Sequence, residues 1–357
     1  MSIKLINENL VGKVQTVLGI INPEEMGITI THEHLLVDET NLFQEPEDPD
    51  LKETFYAPLD MEILNRLYFA GHTNLESATM LDENLAIEEA SHFRHHGGKT
   101  IVDATSIGLG RNPKGLQRIA QATGLNVIMG SSYYIDSSLA QEVREMSGRE
   151  ITDKIVKEFF AGVEDTHIRP GLIGEVGCSW PITSLEKRIL RASSRAQQFT
   201  GAPLMIHPGR NPDAPMHIVK ILEKEGSDLK RVIMCHIDRT IFDHAKLTKL
   251  ASTGVVLEYD LFGHEHSHYR FNLDIDQPND AERLRYIRYL IDEGYGNQVL
   301  VSHDCDNKIY LRKYGGGGYA HIVENVVPKA LMRGYTQEEI DQILIHTPQR
   351  LFTFTAL

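Results

Sequence analysis

Five short segments of the chain end in residues that can bind a metal ion. One of them holds a His-x-His pair, and the other four supply one ligand each: His32 with His34, then Glu175, His207, His236 and Asp304. Each segment follows a run rich in Ile, Val, Leu or Met, which is the composition of a buried strand. Four histidines and two carboxylates suit two divalent ions in type and number, and exceed what one tetrahedral ion needs. The set predicts a hydrolase that depends on two divalent metal ions per chain, with zinc as the favoured ion.

The elements that must position these ligands alternate along the chain. Seven stretches with helical periodicity separate most of eight short apolar runs. The apolar runs are Ile28–Thr31, Thr100–Ala104, Asn126–Gly130, Gly171–Gly174, Pro203–Ile206, Arg231–Cys235, Gly254–Leu257 and Gln298–Ser302, and the helical stretches are Asn84–His95, Leu116–Ala122, Asp153–Val163, Ser184–Gln198, Ala214–Glu225, Phe242–Ala251 and Asp280–Glu293. This repeat predicts a (β/α)8 TIM barrel, an α/β fold, as one domain over residues 1–357. Right-handed crossovers place the carboxyl ends of all eight strands, and so all six ligands, on one face.

Three segments fall outside the repeat. Val11–Ile21 alternates and has a glycine near each end, which predicts a small N-terminal hairpin over the bottom of the barrel. Glu45–Arg66 is an acidic insertion after the first strand, and insertions on that side shape pockets. Val323–Leu351 indicates two C-terminal helices, which we expect on the outer wall.

Composition limits the partners. The chain has 357 residues, of which 41% are hydrophobic and 24% charged, and a formal net charge of −14. That charge argues against a general nucleic-acid partner. Three cysteines without a CxxC motif favour a reducing compartment. The first ten residues lack the apolar core of a secretory signal, and no apolar run reaches the roughly 18 residues of a membrane span. We expect a cytoplasmic protein with a small-molecule substrate and no membrane partner, and the sequence leaves a homodimer open.

The chain resembles the phosphotriesterase branch of the amidohydrolase superfamily, and most closely its phosphotriesterase-related members in animals. Four motifs carry the resemblance in order over essentially the whole chain: Thr31-His32-Glu33-His34 before Leu35-Leu36, Ile101-Val102-Asp103 before Gly108–Arg111, Gly174-Glu175-Val176-Gly177-Cys178-Ser179, and Ser302-His303-Asp304. The resemblance implies that His32, His34 and Asp304 hold a buried metal, that His207 and His236 hold an exposed one, and that Glu175 bridges the two. The founding enzymes bridge with a carboxylated lysine, but Gly171–Trp180 contains no Lys. This departure argues against fast organophosphate hydrolysis.

The resemblance also implies a substrate. It points to hydrolysis of the amide N-acetyltaurine to taurine and acetate, and to some N-acetylated amino acids as further substrates. A hydroxide bridging the metals would attack the acetyl carbon, and Asp304 would pass its proton to the leaving amine. A sulfonate needs cationic donors. Arg210 is the first candidate, with Lys308 and Arg239 behind it, and Tyr133, Tyr134 and Tyr259 are candidates for the pocket wall.

Several residues keep two interpretations. His264, His266 and His268 form either a solvated loop or, for His264, part of the pocket rim. Asp103 either supports the metal ligands or pairs with a helix. The cysteines fit small buried hydrophobes, and His303, beside Asp304, fits a structural role on the opposite face of its strand. A lactonase, a phosphoester hydrolase and a non-catalytic metal-binding protein remain alternatives for the whole chain.

Overall fold

The computed structural model describes residues 10–266, 268–269 and 271–356. The first ten residues, which bear on the question of a secretory signal, lie outside those ranges except for Leu10. Eight parallel strands form one sheet that curls into a barrel, in the order β12-β11-β10-β9-β8-β7-β6-β3. Their bounds are β3 (Thr29–Glu33), β6 (Thr100–Asp103), β7 (Asn126–Ser131), β8 (Leu172–Gly177), β9 (Leu204–His207), β10 (Val232–Met234), β11 (Val256–Tyr259) and β12 (Val299–Val301). The prediction of a TIM barrel is confirmed.

Two antiparallel strand pairs lie outside the barrel. β1 (Val14–Thr16) pairs with β2 (Gly19–Ile21), which is the predicted N-terminal hairpin. β4 (Val37–Asp38) pairs with β5 (Thr79–Met80) and encloses the acidic insertion. The insertion itself folds into the helices Pro49–Tyr56 and Met61–Ala70.

Helices surround the barrel and follow most of its strands. Beyond the two of the insertion, they are Glu83–His95, Pro113–Thr123, Gln141–Glu145, Gly148–Ala161, Ser184–Thr200, Ala214–Glu225, His244–Ala251, Asp280–Asp292, Val327–Met332, Gln337–Asp341 and Thr347–Phe352. Capping boxes fix several of their starts. Ser147 with Glu150 begins the helix predicted over Asp153–Val163 five residues early, because its hydroxyl satisfies a free N–H of the first turn. No helix among the described residues is long and apolar enough to cross a membrane.

The barrel interior is a packed layer of apolar side chains below the carboxyl ends of the strands. Alternation along each strand sends every second residue inward. The inward set is Val102, Ala104, Ile128, Leu172, Met205, Ile233, Cys235, Val256 and Leu300, joined at the bottom by Val14, Met26, Leu351 and Phe352. The hairpin therefore closes the bottom, as predicted. The C-terminal segment does more than cover the outer wall, because its last helix places two side chains in this inner layer.

Candidate metal centre and adjoining cavity

All six predicted ligands meet at the carboxyl face of the barrel. They come from the ends of five strands or from the residues directly after them: His32 and His34 from β3, Glu175 from β8, His207 from β9, His236 after β10 and Asp304 after β12. Each of the six is at most 9% exposed. The structure thus brings together residues that are up to 272 positions apart in sequence, His32 and Asp304 being the extremes.

Glu175 lies between the two histidine pairs, and its carboxylate oxygens divide between them. Oε1 is 3.7 Å from Nε2 of His32 and 3.6 Å from Nε2 of His34. Oε2 is 2.9 Å from Nδ1 of His207 and 3.5 Å from Nε2 of His236. One oxygen therefore belongs to each pair, which is the arrangement that a carboxylate bridging two cations requires.

Asp304 completes the first pair. Its Oδ1 is 3.2 Å from Nε2 of His34 and 3.5 Å from Nε2 of His32. Its Oδ2 faces Nδ1 of His236 at 3.6 Å. The residue has a φ of +48°, a left-handed conformation that aspartate tolerates better than most residues. The backbone turn at Asp304 aims its carboxylate back across the mouth of the barrel.

The spacing of the donor atoms fits metal coordination. Two ligands held about 2.0–2.1 Å from one tetrahedral ion lie roughly 3.4 Å apart. The distances from Glu175 and Asp304 to His32 and His34 run from 3.2 to 3.7 Å. The Nε2 atom of His32 is buried and has no hydrogen-bond partner. A buried polar atom seldom stays unpaired, so this nitrogen fits a metal ligand better than a structural donor.

The charges within the centre shift the pKa values of its members. Burial lowers the pKa of His34, but the hydrogen bond and charge of Asp304 raise it on balance to about 9. Burial favours neutral Asp304, yet the surrounding His32, His34 and His236 hold its pKa below the ordinary value. Burial lowers the pKa of His207, which therefore stays neutral. Asp304 and His207 are thus in the forms that bind metals, and a bound metal ion would have to displace the proton that the raised pKa keeps on His34.

Two buried carboxylates behind the ligands were missed by the sequence reasoning. Asp260 accepts hydrogen bonds from N and Nδ1 of His236, at 2.9 Å each. Glu258 lies 3.4 Å from Nδ1 of His32 and accepts from Oγ1 of Thr31 at 2.5 Å and from Sγ of Cys235 at 3.1 Å. Such partners orient metal-binding imidazoles. Acidic residues inside the apolar run Val255–Leu261 were the signal that could have found them.

The remaining polar residues near the ligands take supporting positions. Asp103 accepts from the backbone N of Leu35 at 2.8 Å and of Thr105 at 3.2 Å, and the Thr105 hydroxyl is 2.9 Å from Nδ1 of His34. It therefore supports the ligand segment, and none of its hydrogen bonds goes to a helix among the described residues. Cys178, Cys235 and Cys305 are all buried and free, as predicted.

A cavity of about 270 Å³ opens above the ligands. Its wall includes His34, Glu175, His207, His236 and Asp304 at the floor and, higher up, Glu39, Tyr134, Arg210, Arg239, His264, Tyr269, Phe271, Asn307 and Tyr310. Leu67 also lines the cavity, from the helix Met61–Ala70 in which the insertion ends. The described wall contains no residue of Glu45–Arg66 itself, so a direct contribution of the insertion to the pocket stays a prediction.

Two arginines face this cavity. Nε of Arg210 donates to the Tyr269 hydroxyl at 2.7 Å, and its guanidinium lies 4.5 Å from the centre of the Phe271 ring. Nη2 of Arg239 is 3.2 Å from Nε2 of His207 and donates to the carbonyl of Pro208 at 3.2 Å. Among the described residues, no carboxylate oxygen lies within 4.0 Å of either guanidinium. Burial lowers the pKa of Arg210, but Tyr269, Tyr134 and the charge of Glu39, which also lines the cavity, raise it on balance. The cavity wall therefore carries two guanidinium groups, and Glu39 lies near that of Arg210.

The other predicted pocket residues divide into two groups. Tyr134 lines the cavity with its hydroxyl 3.3 Å from Nδ1 of His207. His264 is only 4% exposed and stacks on Tyr310 at 3.6 Å, so a solvated loop is the wrong interpretation for this residue. Tyr259 is buried in the outer core, because its strand directs it away from the mouth. The ammonium of Lys308 pairs with Glu76 at 3.4 Å, outside the cavity wall.

Comparisons with known proteins agree with this geometry. The profile of the Phosphotriesterase family matches residues 12–352. A phosphotriesterase-related protein of Nematostella vectensis is 45% identical over 96% of this chain and 99% of its own length. The N-acetyltaurine hydrolase of Homo sapiens is 42% identical over 97% and 99%. The crystal structure of a resiniferatoxin-binding protein from Rhodobacter sphaeroides superposes with a TM-score of 0.92 at 35% identity, covering 96% of this chain and 95% of that one. The chain belongs to the phosphotriesterase family.

Proposed function

We propose that this protein is a binuclear metal-dependent amidohydrolase that converts N-acetyltaurine to taurine and acetate, and that other N-acetyl amino acids are secondary substrates. The observation that carries the proposal is the division of the Glu175 oxygens between two histidine pairs, 3.6–3.7 Å on one side and 2.9–3.5 Å on the other. Relatives at 42–44% identity that are named N-acetyltaurine hydrolase support the choice of substrate.

The cavity suits the two ends of that substrate. The acetyl group is small and neutral, and the sulfonate is a permanent anion that needs cationic donors. Arg210 supplies a charged guanidinium on the cavity wall, where its Nε donates to the Tyr269 hydroxyl. The volume of about 270 Å³ is at the small end for ligand sites and fits a molecule of this size.

The reaction breaks the C–N bond of the amide and forms a C–O bond from water. Bound divalent ions, for which zinc suits this ligand set, would supply Lewis acidity and an activated water. Asp304, held ionised by the neighbouring histidines, would accept the proton of that water and return it to the leaving nitrogen. The Tyr134 hydroxyl, kept protonated because burial raises its pKa, would donate to the acetyl oxygen. Arg210 would hold the sulfonate throughout.

A substrate screen tests the reaction. Metal-replete protein, carrying close to two ions per chain by elemental analysis, should release taurine from N-acetyltaurine faster than it opens lactones or cleaves phosphoesters. A clear preference for a lactone or a phosphoester would replace the amidase with that activity. Bound metal without turnover of any ester or amide would instead indicate a non-catalytic metal-binding protein.

Arg210→Ala tests the anion site. Losing a charge-assisted hydrogen bond costs about 1.5–3 kcal/mol, so KM for N-acetyltaurine should rise roughly 10- to 150-fold while kcat changes less. A neutral acetyl ester of similar size should keep its KM, because it makes no such contact. Lys308→Ala is the matched control, since that ammonium lies outside the cavity wall. Equal losses on both substrates would assign Arg210 a structural role.

A further inference from the structure

The barrel has one seam that backbone pairing does not close. Parallel ladders join each strand to the next from β3 round to β12. No ladder joins β12 back to β3 within the described residues, which include both strands in full. One backbone hydrogen bond crosses just above the seam, from N of Asp304 to O of His32 at 3.1 Å. Both strands at the seam carry metal-ligand candidates, so something else must fix their spacing.

Side chains take the place of the missing ladder. The Ser302 hydroxyl accepts from the backbone N of His32 at 2.9 Å and donates to Oε1 of Glu33 at 2.7 Å. A second contact across the seam comes from Thr31 of β3, whose hydroxyl donates to the carbonyl of Val301 in β12 at 3.4 Å. Glu33 is fully buried, and it is the middle residue of the His-x-His motif. Its side chain therefore points to the face opposite the ligands.

Glu33 holds the turn that carries Asp304. Its carboxylate accepts from the backbone N of His303 at 3.0 Å and of Cys305 at 3.2 Å. These two groups flank Asp304, whose φ of +48° directs both N–H bonds to one side. A concavity of backbone N–H groups favours an anion. The anion in this concavity is a side chain of the first strand, so the turn is anchored to the strand that supplies His32 and His34.

The imidazole ring of His303 is the fourth donor group on Glu33, and the position of its proton is fixed. Nε2 of His303 accepts from the backbone N of Ile322 at 3.0 Å, so the proton of the neutral ring must lie on Nδ1. Nδ1 then donates to Oε1 of Glu33 at 2.6 Å. The structural role expected for His303 thus consists in linking Glu33 to the C-terminal segment. We call Glu33, Ser302 and His303 the seam cluster.

We propose that Glu33 is a positioning residue, which sets the Asp304 carboxylate against His32 and His34 through the seam cluster. This inference rests on the proposed metal centre, although not on its substrate. Glu33 does not line the cavity and cannot touch a substrate there. Its effect must pass through Asp304, whose Oδ1 lies 3.2 Å from Nε2 of His34.

Glu33→Gln is the test variant, because it keeps the size of the side chain and places an NH2 group against N–H and O–H donors. Metal affinity is measured by competition with a chromophoric chelator, and kcat and KM are measured on the metal-replete protein. One of the two ions should bind roughly 10- to 100-fold more weakly, and kcat should fall by a similar factor while KM changes little. Unfolding monitored by circular dichroism reports whether the variant folds.

Glu186→Gln is the matched control. Glu186 is also fully buried, and it also accepts four hydrogen bonds, from N of Asp136, N and Oγ of Ser179, and N of Thr183. None of those donors is adjacent in sequence to a metal-ligand candidate, and the nearest is Ser179, four residues after Glu175. Glu186→Gln should therefore lose stability as Glu33→Gln does and keep both ions.

A double variant separates positioning from general destabilisation. If Glu33 acts through Asp304, then Glu33→Gln should add little further loss of metal affinity to Asp304→Asn. Wild-type metal affinity in folded Glu33→Gln, or a loss that adds in full to that of Asp304→Asn, would overturn the proposal. If Glu33→Gln does not fold, Ser302→Ala decides by the same two criteria, with a smaller loss expected. Metal binding requires no substrate, so failure on N-acetyltaurine would leave this result readable.

Discussion

The two histidine pairs of the centre are attached to the barrel in different ways. His207 ends β9 and His236 follows β10, and continuous parallel ladders join these two strands to each other and to β8 and β11, with one shift of register between β8 and β9. His32 lies in β3, His34 directly follows β3 and Asp304 follows β12, and no ladder forms between these two strands in the described chain. On that side, side chains such as Glu33 and Ser302 make the connection.

This difference determines which interactions fix the positions of the ligands on each side of the centre. A ladder spaces strands at a distance set by the peptide group, so the ligands on β9 and β10 need only a partner that orients their rings. Asp260 is that partner for His236. The seam offers no such template, and buried polar groups must satisfy one another there. Fully satisfied polar networks of this kind rigidify and specify a structure. The centre thus has two halves, one formed by His207 with His236 and the other by His32 and His34 with Asp304. We therefore expect the two halves to respond to different substitutions.

Glu175→Gln should break both halves and have the largest effect. An amide cannot present two anionic oxygens to two cations, so one ion loses its oxygen ligand and the other keeps only a neutral carbonyl oxygen. We expect activity to fall by two orders of magnitude or more and the metal content to drop below two per chain, while the fold survives. Elemental analysis, turnover and circular dichroism measure the three quantities. A variant that keeps both ions and near-normal turnover would show that Glu175 is not the bridge.

Asp260→Asn should separate the halves. His236 would lose the carboxylate that accepts from its Nδ1 at 2.9 Å, and one ion should bind roughly 10- to 100-fold more weakly. Glu258→Gln is the counterpart on the other side, because Glu258 faces Nδ1 of His32 at 3.4 Å. Since Asp260 also lies 3.4 Å from that same atom, its effect on the second ion should be present but smaller.

Stepwise chelator titration of the two variants makes the comparison. In each variant one ion should bind clearly more tightly than the other, and crystallographic anomalous scattering should locate the tighter ion in opposite halves. If both variants lose the same ion, the division of the centre into two separately supported halves is wrong.

The sequence pointed to the six candidate ligands, which the structure brings together, but not to the residues that support them. Candidate ligands are visible in a sequence, because a His or Asp at the end of a buried apolar run seldom serves only to pack the core. Glu33 and Glu258 sit inside strands, where a single acidic residue has no periodic signal and its partner is 269 or 227 positions away in the chain. Lys308 was a candidate by charge alone, and the structure turns it to Glu76. Pairing of that kind depends on tertiary contacts that spacing does not encode.

The fold shows the same contrast. The positions of eight strands followed from runs of branched apolar residues, and the starts of helices moved where a capping residue such as Ser147 extended the first turn. The open seam between β3 and β12 could not be predicted, because the composition of a strand does not show whether it pairs with a given neighbour. The shift of register between β3 and β6, from Ile30 to Glu33, has no signature of composition either. Two π-helical turns in the C-terminal segment, Ile322–Val326 and Gln342–His346, were likewise invisible.

Asp280→Asn should have the smallest effect on the centre. It tests whether any buried carboxylate that accepts several hydrogen bonds affects metal binding. Asp280 is 1% exposed and accepts from N of Gly263 at 2.9 Å, Nη1 of Arg283 at 3.0 Å and Nε2 of His321 at 2.7 Å. Burial raises the pKa of Asp280, but the hydrogen bond from His321 and the charge of Arg283 lower it on balance below the ordinary value. A carboxyl group with a lowered folded-state pKa stabilises the fold above its unfolded pKa of about 3.9, and that contribution is lost as the pH falls through the acid range.

Asp280→Asn removes the contribution of this carboxylate to the free energy of unfolding at neutral pH, and with it the dependence of that contribution on pH. Urea unfolding should show Asp280→Asn less stable than the wild type by about 1.5–3 kcal/mol at pH 7, with the gap narrowing towards pH 3. Asp292→Asn is the control, because Asp292 pairs with Arg288 at the surface and should change little at either pH. Metal affinity and turnover should stay near wild type, since Asp280 contacts neither half of the centre. A gap that stays constant with pH would contradict the lowered pKa, and a lost ion would mean that loops far from both halves also hold the metals.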